Sequence, residues 1–151
     1  MKRREFIAAA ASLALAPRLA GAEDNAIAPI DPKDPDVQSV TKGAPIRAGR
    51  VKLELPPLAD NGNSVAMKLS VESPMTAQDH VRAVHLFSER NPVRHMAAFH
   101  LGPKSGRAEI ASRIRLAGSQ KIIALAEMSD GSFWAGSASV VVTLSACLDE
   151  S

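Results

Sequence analysis

A single cysteine, Cys147, is the residue of this chain best suited to covalent chemistry. No other cysteine occurs among the 151 residues. A lone cysteine forms no disulfide within its own chain. In an oxidising compartment it pairs with another chain, reacts with another molecule, or stays buried and inert. The residue pattern leaves two interpretations open, a reactive thiol and a small buried hydrophobic side chain.

The four histidines are the other candidates for chemistry. None of His80, His85, His95 and His100 has a spacing typical of metal ligands, such as H-x-x-x-H. A copper site that combines His95 with Met96 is chemically possible, but the spacing favours surface or hydrogen-bonded histidines. The sequence also lacks a G-x-S-x-G motif and a phosphate-binding loop. We therefore predict no bound metal, no cofactor and no catalytic residue.

The first 22 residues predict export from the cytoplasm. Arg3 and Arg4 are followed by an apolar run at residues 8–16, and residues 20–22 have the small-x-small form that signal peptidase accepts. This order is typical of a twin-arginine signal peptide. The run is too short to span a bilayer, which takes about 20 residues. We expect cleavage rather than an uncleaved membrane anchor, and a mature protein in the periplasm.

The charge of the mature chain argues against nucleic acid as a ligand. The whole chain has 18 Lys and Arg against 16 Asp and Glu, but four of the bases and only one acid lie in residues 1–22. The mature chain therefore has 14 basic and 15 acidic side chains. Nucleic-acid binding usually shows a clustered basic face. About 129 residues remain, which is enough for one domain with its own core.

The mature chain is predicted to begin with an arm, residues 23–50. Prolines and aspartates alternate there, which favours extended and solvated chain. The alternating residues are Pro29, Asp31, Pro32, Asp34, Pro35 and Asp36. A short helical turn near residues 36–42 is the one regular element that the pattern suggests.

From residue 51 the alternation of apolar and polar side chains predicts β-strands. Seven such segments are 51–55, 65–71, 81–88, 96–101, 108–116, 121–128 and 133–144. Residues 60–63, Asp-Asn-Gly-Asn, predict a turn, and Asp130-Gly131 predicts a two-residue hairpin. The spacing favours an all-β fold, an immunoglobulin-like β-sandwich of about seven strands over residues 51–146. A small barrel is the alternative.

The last strand predicts the direction in which the cysteine points. Even-numbered positions from Trp134 to Leu148 hold no polar side chain, whereas the odd-numbered positions from Phe133 are mixed. Side chains alternate across a strand, so the even set is expected to face the core. If no bulge intervenes, Cys147 lies on the more polar face, at the start of a tail of residues 147–151. We expect Leu148 to rest on the domain or on a partner.

These segments resemble the SoxY family, the sulfur-carrier subunits of the SoxYZ complex in bacterial thiosulfate oxidation. The most specific stretch is residues 126–134, A-E-M-S-D-G-S-F-W. Further matching stretches are residues 49–57, 59–63, 73–76, 99–102 and 113–116. The similarity covers about residues 40–147, nearly the whole mature domain.

The resemblance implies an immunoglobulin-like sandwich that binds a SoxZ-like subunit as a heterodimer and other Sox enzymes transiently. It implies a carrier rather than an enzyme, with the sulfur substrate attached covalently to Cys147. We expect the partner to cover apolar sheet surface at Ile123 and Leu125. One alternative is a SoxY-like paralogue that serves another exported oxidoreductase without sulfur transfer. Another is a His/Met metal-delivery sandwich.

The tail departs from the family pattern. SoxY proteins commonly end in Gly-Gly-Cys-Gly-Gly, whereas here Ser145-Ala146 precede Cys147 and Leu148-Asp149 follow it. Glycine gives the backbone its widest freedom, so this tail is expected to be stiffer. The acidic residues after Cys147 are expected to disfavour the thiolate and to repel an incoming anion such as thiosulfate.

Overall fold

The computed structural model describes residues 31–144. The predicted signal peptide and the tail that carries Cys147 lie outside these residues. Within them the chain forms one α-helix, one 3₁₀ turn at Pro103–Ser105 and nine strands. In chain order the elements are α1 (Pro35–Thr41), β1 (Ile46–Ala48), β2 (Val51–Glu54), β3 (Leu58–Asn61), β4 (Val65–Val71), β5 (Val81–Ser88), β6 (His95–His100), β7 (Glu109–Ile114), β8 (Gln120–Met128) and β9 (Phe133–Leu144).

The strands form two sheets, which confirms the predicted immunoglobulin-like sandwich. The larger sheet has the order β1-β9-β8-β5-β6, and β3 also pairs with β9. The smaller sheet has the order β2-β4-β7. β8 pairs antiparallel with β5 and β9, while β1 and β3 run parallel to β9 along its other edge. All seven predicted strands are present, and β1 and β3 are additional.

The core lies between the two sheets. β4 shows the alternation that builds it, because Val65, Met67, Leu69 and Val71 are buried while Lys68 is exposed. Leu86, Ile122 and Ala124 of the larger sheet pack in the same cluster. Burying a Val, Leu, Ile or Met side chain stabilises the fold by about 1.5–3 kcal/mol. The core is therefore aliphatic, as the scarcity of aromatic residues in the sequence requires.

The outer face of the larger sheet carries a second apolar cluster, which the sequence did not predict. Val37 of α1 is 2% exposed. It packs with Phe87, Leu125, Phe133 and Ala135, which come from three neighbouring strands. Helix α1 begins after Asp34, whose side chain accepts a hydrogen bond from the Asp36 amide. The helical turn predicted near residues 36–42 is thus confirmed as α1. The packing of Val37 and the pairing of β1 with β9 hold this part of the arm on the sheet, so it is not the extended, solvated chain that was predicted.

The packing of α1 on this face contradicts the prediction that a partner covers Ile123 and Leu125. Leu125 is fully buried, and Ile123 is partly buried in the same cluster. The expectation that a partner covers both residues is wrong, because the chain's own helix and the segment after it do so. The physical reason is that α1 brings apolar side chains, Val37 and Val40, onto this face.

Both predicted turns are present and differ in detail. The turn predicted over residues 60–63 lies at residues 62–63, because Asp60 and Asn61 end β3. Four residues, 129–132, separate β8 from β9, and because the Met128 amide donates to the Ser132 carbonyl at 2.9 Å the hairpin loop has three residues rather than two. The Gly131 amide donates to the Met128 carbonyl at 3.0 Å, and Gly131 has a φ of 84°. A type I turn followed by a left-handed residue is the usual form of a three-residue hairpin.

Strand β9 confirms the predicted alternation in its central part and departs from it at both ends. Val140 and Val142 are buried in the core, whereas Val141 is exposed. Phe133, on the opposite face, is also buried because α1 covers it. Leu144, predicted to face the core, is 65% exposed. β8 begins opposite Val140, so it contributes no neighbour at the end of β9.

Gly136 marks the closest approach between β9 and the smaller sheet. A Cβ atom at this position would lie 2.4 Å from the carbonyl oxygen of Val51 in β2. That distance is far shorter than a van der Waals contact, so a side chain here forces the backbone of β2 away. The two sheets can pack at this distance because residue 136 lacks a side chain.

We predict that Gly136→Ala lowers the free energy of unfolding by about 1–3 kcal/mol, the usual cost of overpacking. Gly102→Ala is the matched control. Gly102 has extended backbone and nothing within 4 Å of the added Cβ, so its effect is expected to stay within about 0.5 kcal/mol. Urea denaturation of both variants measures the difference. Equal stabilities for the two variants would contradict the prediction.

Candidate functional site

The end of β9 sets the position from which the tail leaves the domain. Leu144 is three residues before Cys147 and is the last described residue. Cys147, the predicted attachment residue, lies outside the described residues, and the tail that carries it starts at this strand end.

Three hydrogen bonds hold the end of β9 in place. The Gly62 amide donates to the Leu144 carbonyl at 2.7 Å. The Thr143 hydroxyl donates to the carbonyl of Asp60 in β3 at 2.8 Å. On the other edge of β9, the Val142 amide donates to the Ser119 hydroxyl at 2.8 Å. The tail therefore starts from a strand end that is hydrogen-bonded on both sides.

The surface around this strand end is apolar. Leu58 and Val141 are neighbours in the parallel pairing of β3 with β9, and each is 55% exposed. Leu144, at the end of β9, is also exposed, and alternation along the strand directs it to the opposite face from Val141. An exposed apolar pair such as Leu58 and Val141 is typical of a contact surface.

The most specific family stretch, residues 126–134, has a structural role. The Asp130 carboxylate accepts hydrogen bonds from the Ser132 hydroxyl at 2.6 Å and the Ser132 amide at 2.9 Å. These bonds lower the pKa of Asp130, the hydroxyl contributing most. The Ser132 hydroxyl also accepts from the Trp134 indole at 3.2 Å. The guanidinium of Arg50 lies 4.9 Å from the Trp134 ring centroid. The stretch therefore fixes the hairpin and ties the start of β2 to β9.

Two histidines that are ten residues apart in sequence meet on the outer face of the larger sheet. The Nδ1 atom of His85 lies 3.1 Å from the Nε2 atom of His95, so one ring donates and the other accepts. A register shift between Leu86 and Phe87 places His95 opposite Phe87. The rings of His95 and Phe87 stack with centroids 4.8 Å apart. Sequence spacing gave no sign of this pair, because the pairing register of β5 with β6 creates it.

The His95–Met96 copper site is not formed. His95 packs with His85 and Phe87 on the outer face, whereas Met96 packs against the core between the sheets. These contacts place the two side chains on opposite faces of the sheet, so the two cannot share an ion. His80 instead contacts the Thr76 carbonyl at 3.0 Å through Nδ1. Within residues 31–144 no three His, Asp or Glu side chains are close enough to hold a metal ion.

No helix among the described residues is long and apolar enough to cross a membrane.

The environment of the histidine pair predicts a pH dependence of stability. Burial, followed by the nearby His95, lowers the pKa of His85 below its ordinary value of 6.5. The unfolded chain therefore binds a proton at a higher pH than the folded chain. Stability from this group is complete above the unfolded pKa and is lost as the pH falls through 6.5 towards the lower folded pKa.

We therefore expect the free energy of unfolding to decrease between about pH 7.5 and about pH 5.5. The decrease should be smaller in His85→Gln, which removes the buried group. His80→Gln, at a half-buried position outside the pair, is the control and should keep the slope of the wild type. Urea denaturation at a series of pH values measures the slopes. A His85→Gln slope equal to that of the wild type would rule out His85 as the source.

A protein-family model and several solved structures match the described domain. The SoxY family model, described as sulfur oxidation protein SoxY, matches residues 37–147. The fold is similar to the sulfur carrier protein SoxY from Chlorobium limicola f thiosulfatophilum, with a TM-score of 0.61 and 19% identity. That match covers 72% of this chain and 94% of the other.

The same fold occurs in proteins with other names. A superoxide reductase (neelaredoxin) from Ignicoccus hospitalis matches with a TM-score of 0.55 and 17% identity, over 62% of this chain and 80% of the other. A putative superoxide reductase from Thermotoga maritima matches with a TM-score of 0.53 and 19% identity, over 64% and 86%. No curated protein sequence matches significantly. Fold similarity at these identities does not assign an activity. The family model is the specific finding, and because it covers most of the described domain and reaches the cysteine, the chain belongs to the SoxY family.

Proposed function

We propose that this protein is a periplasmic sulfur carrier that holds intermediates of thiosulfate oxidation covalently on Cys147. The observation that carries the proposal is the extent of the family match, which ends at residue 147, the position of the chain's single cysteine. The family match supports a role in sulfur oxidation, and the attachment of sulfur at this particular thiol is the proposal.

The anchored end of β9 supports a carrier role for the tail. Leu144 is held by the Gly62 amide on one side, and its side chain faces water. Cys147 follows three residues later in the chain, so cargo on its thiol would be carried by a tail that starts at this anchored strand end. A group placed at such an end can enter the active site of another protein while the sandwich itself stays folded.

The proposed chemistry balances without any further reactive group in this chain. The Cys147 sulfur forms a bond to the outer sulfur of thiosulfate, with loss of the thiol proton and two electrons, which a haem protein of the pathway accepts. Water then cleaves the bond between that outer sulfur and the sulfonate group. Sulfate leaves, and a persulfide stays on Cys147. Other Sox enzymes remove electrons from the outer sulfur while water supplies its oxygen atoms, and a second hydrolysis breaks its bond to the Cys147 sulfur, which releases sulfate and returns the free thiol.

The partner in this proposal is a SoxZ-like subunit. The predicted surface at Ile123 and Leu125 is covered by the chain itself, so the partner must use another surface. Leu58 and Val141 are large, apolar and exposed, and they adjoin the strand end from which the tail leaves. A partner seated there would also lie beside the cargo. Export by the twin-arginine route, on the signal predicted in residues 1–22, belongs to the same proposal.

The experiment replaces the chromosomal gene with variants and measures thiosulfate consumption by the cells. Cys147→Ser is expected to abolish oxidation, because an alcohol cannot take up or release sulfur. Ser145→Ala changes a neighbouring side chain without touching the thiol and serves as the control. Immunoblotting of the periplasmic fraction shows whether both variants are exported. Normal consumption with the Cys147→Ser variant would contradict the proposal and favour a paralogue without sulfur transfer.

A further inference from the structure

One side of the sandwich is open. β6 is the last strand of the larger sheet and pairs only with β5, while β7 is the last strand of the smaller sheet and pairs only with β4. The two free edges lie on either side of a cleft of about 290 Å³. Within residues 31–144 no backbone hydrogen bond joins β6 to β7. Both edges therefore offer amides and carbonyls to another strand.

The floor of this edge cleft is apolar. Ile114 of β7, with Met96 and Phe99 of β6, lines it and packs against the core. Val93 lies at the same cleft and is 70% exposed. An exposed valine beside a concave apolar surface leaves hydrophobic area that a ligand can remove from water.

Two arginines supply positive charge along the β7 edge. Arg113 and Arg115 line the cleft, and both are exposed. Arg113 donates to the Ser64 hydroxyl at 3.1 Å, and neither arginine forms an ion pair with a described residue. Alternation along the strand places them on the opposite face from Ile114. One face of the β7 edge is therefore apolar and the other is basic.

Asn91 fixes one end of the cleft. Its Nδ2 atom donates to the Arg115 carbonyl at 2.8 Å. Its Oδ1 atom accepts from the Ala117 amide and from the Gln120 side chain, each at 2.9 Å. These bonds join the loop before β6 to the loop after β7. Because the cleft is held in shape by the protein's own contacts, a ligand needs to order little of it.

We propose that the edge cleft binds an extended strand of a partner protein in which apolar side chains alternate with acidic ones. A strand added to β7 directs every second side chain inwards over Ile114 and Phe99, and directs the others towards Arg113 and Arg115. Residues 148–150 of this chain, Leu-Asp-Glu, place two acids in succession and lack this alternation. The pattern therefore favours a partner over the chain's own tail, and the inference does not require sulfur on Cys147.

Two synthetic peptides test this with the full mature chain. The first, acetyl-Glu-Val-Glu-Leu-Glu-Val-Glu-amide, has the proposed alternation, and the second has Lys in place of every Glu. We expect saturable binding of the acidic peptide by fluorescence anisotropy, weakened by salt because paired charges are screened. Backbone amide shifts in NMR spectra should concentrate in β7. Absence of saturable binding, or equal binding of the two peptides, would overturn the proposal.

Variants with substitutions in the edge cleft test whether the acidic peptide binds there. The double variant Arg113→Glu with Arg115→Glu changes only exposed side chains. It is expected to lower the affinity for the acidic peptide at least about tenfold and to bind the basic peptide more tightly than the acidic one. Val93→Asp should also weaken binding, whereas Arg107→Glu, exposed and outside the cleft, should not. Equal losses in Arg107→Glu and the double variant would overturn the proposal. So would a rise in affinity of about tenfold or more in Asp149→Ser with Glu150→Ser, which would show that the chain's own tail occupies the cleft.

Discussion

The close packing of β9 is the constraint on which the other parts of the structure depend. This strand pairs with β8 along one edge and with β1 and β3 along the other. At Gly136 it approaches β2 so closely that no side chain fits. Its two faces serve two clusters, since Val140 and Val142 enter the core and Phe133 and Ala135 lie under α1. The strand that leads into the tail is thus held along both edges and on both faces.

That arrangement determines which surfaces are free for other molecules. Helix α1 takes the central part of the outer face, and Arg94 helps to hold it there through ion pairs with Asp34 and Asp36. Free surface then remains at the exposed pair Leu58 and Val141, near the start of the tail, and at the edge cleft between β6 and β7. The first adjoins the proposed cargo, and the second lies on the open side of the sandwich. One small domain can therefore meet a permanent partner and a transient one on separate surfaces.

The sequence predicted the strands that show their own periodicity and missed the contacts that depend on tertiary pairing. β4 and β8 are recognisable because apolar side chains recur at every second position. β1 has three residues and is stabilised by parallel pairing with Phe133, far along the chain. The packing of α1 on the sheet and the contact between His85 and His95 were missed for the same reason. Both depend on tertiary pairing and leave no local pattern in the sequence. Cys147 could be singled out from composition alone, because it is the single thiol in the sequence.

The covalent attachment of cargo to Cys147 is tested most directly by intact-mass analysis of the protein purified from the periplasm of cells growing on thiosulfate. The account predicts species heavier than the free chain by one sulfur atom or by one thiosulfate unit, which a reducing agent removes and peptide mapping assigns to Cys147. It also predicts that the Cys147→Ser protein has only the unmodified mass. Recovery of the wild-type chain solely in the unmodified form, from cells that are actively oxidising thiosulfate, would contradict it.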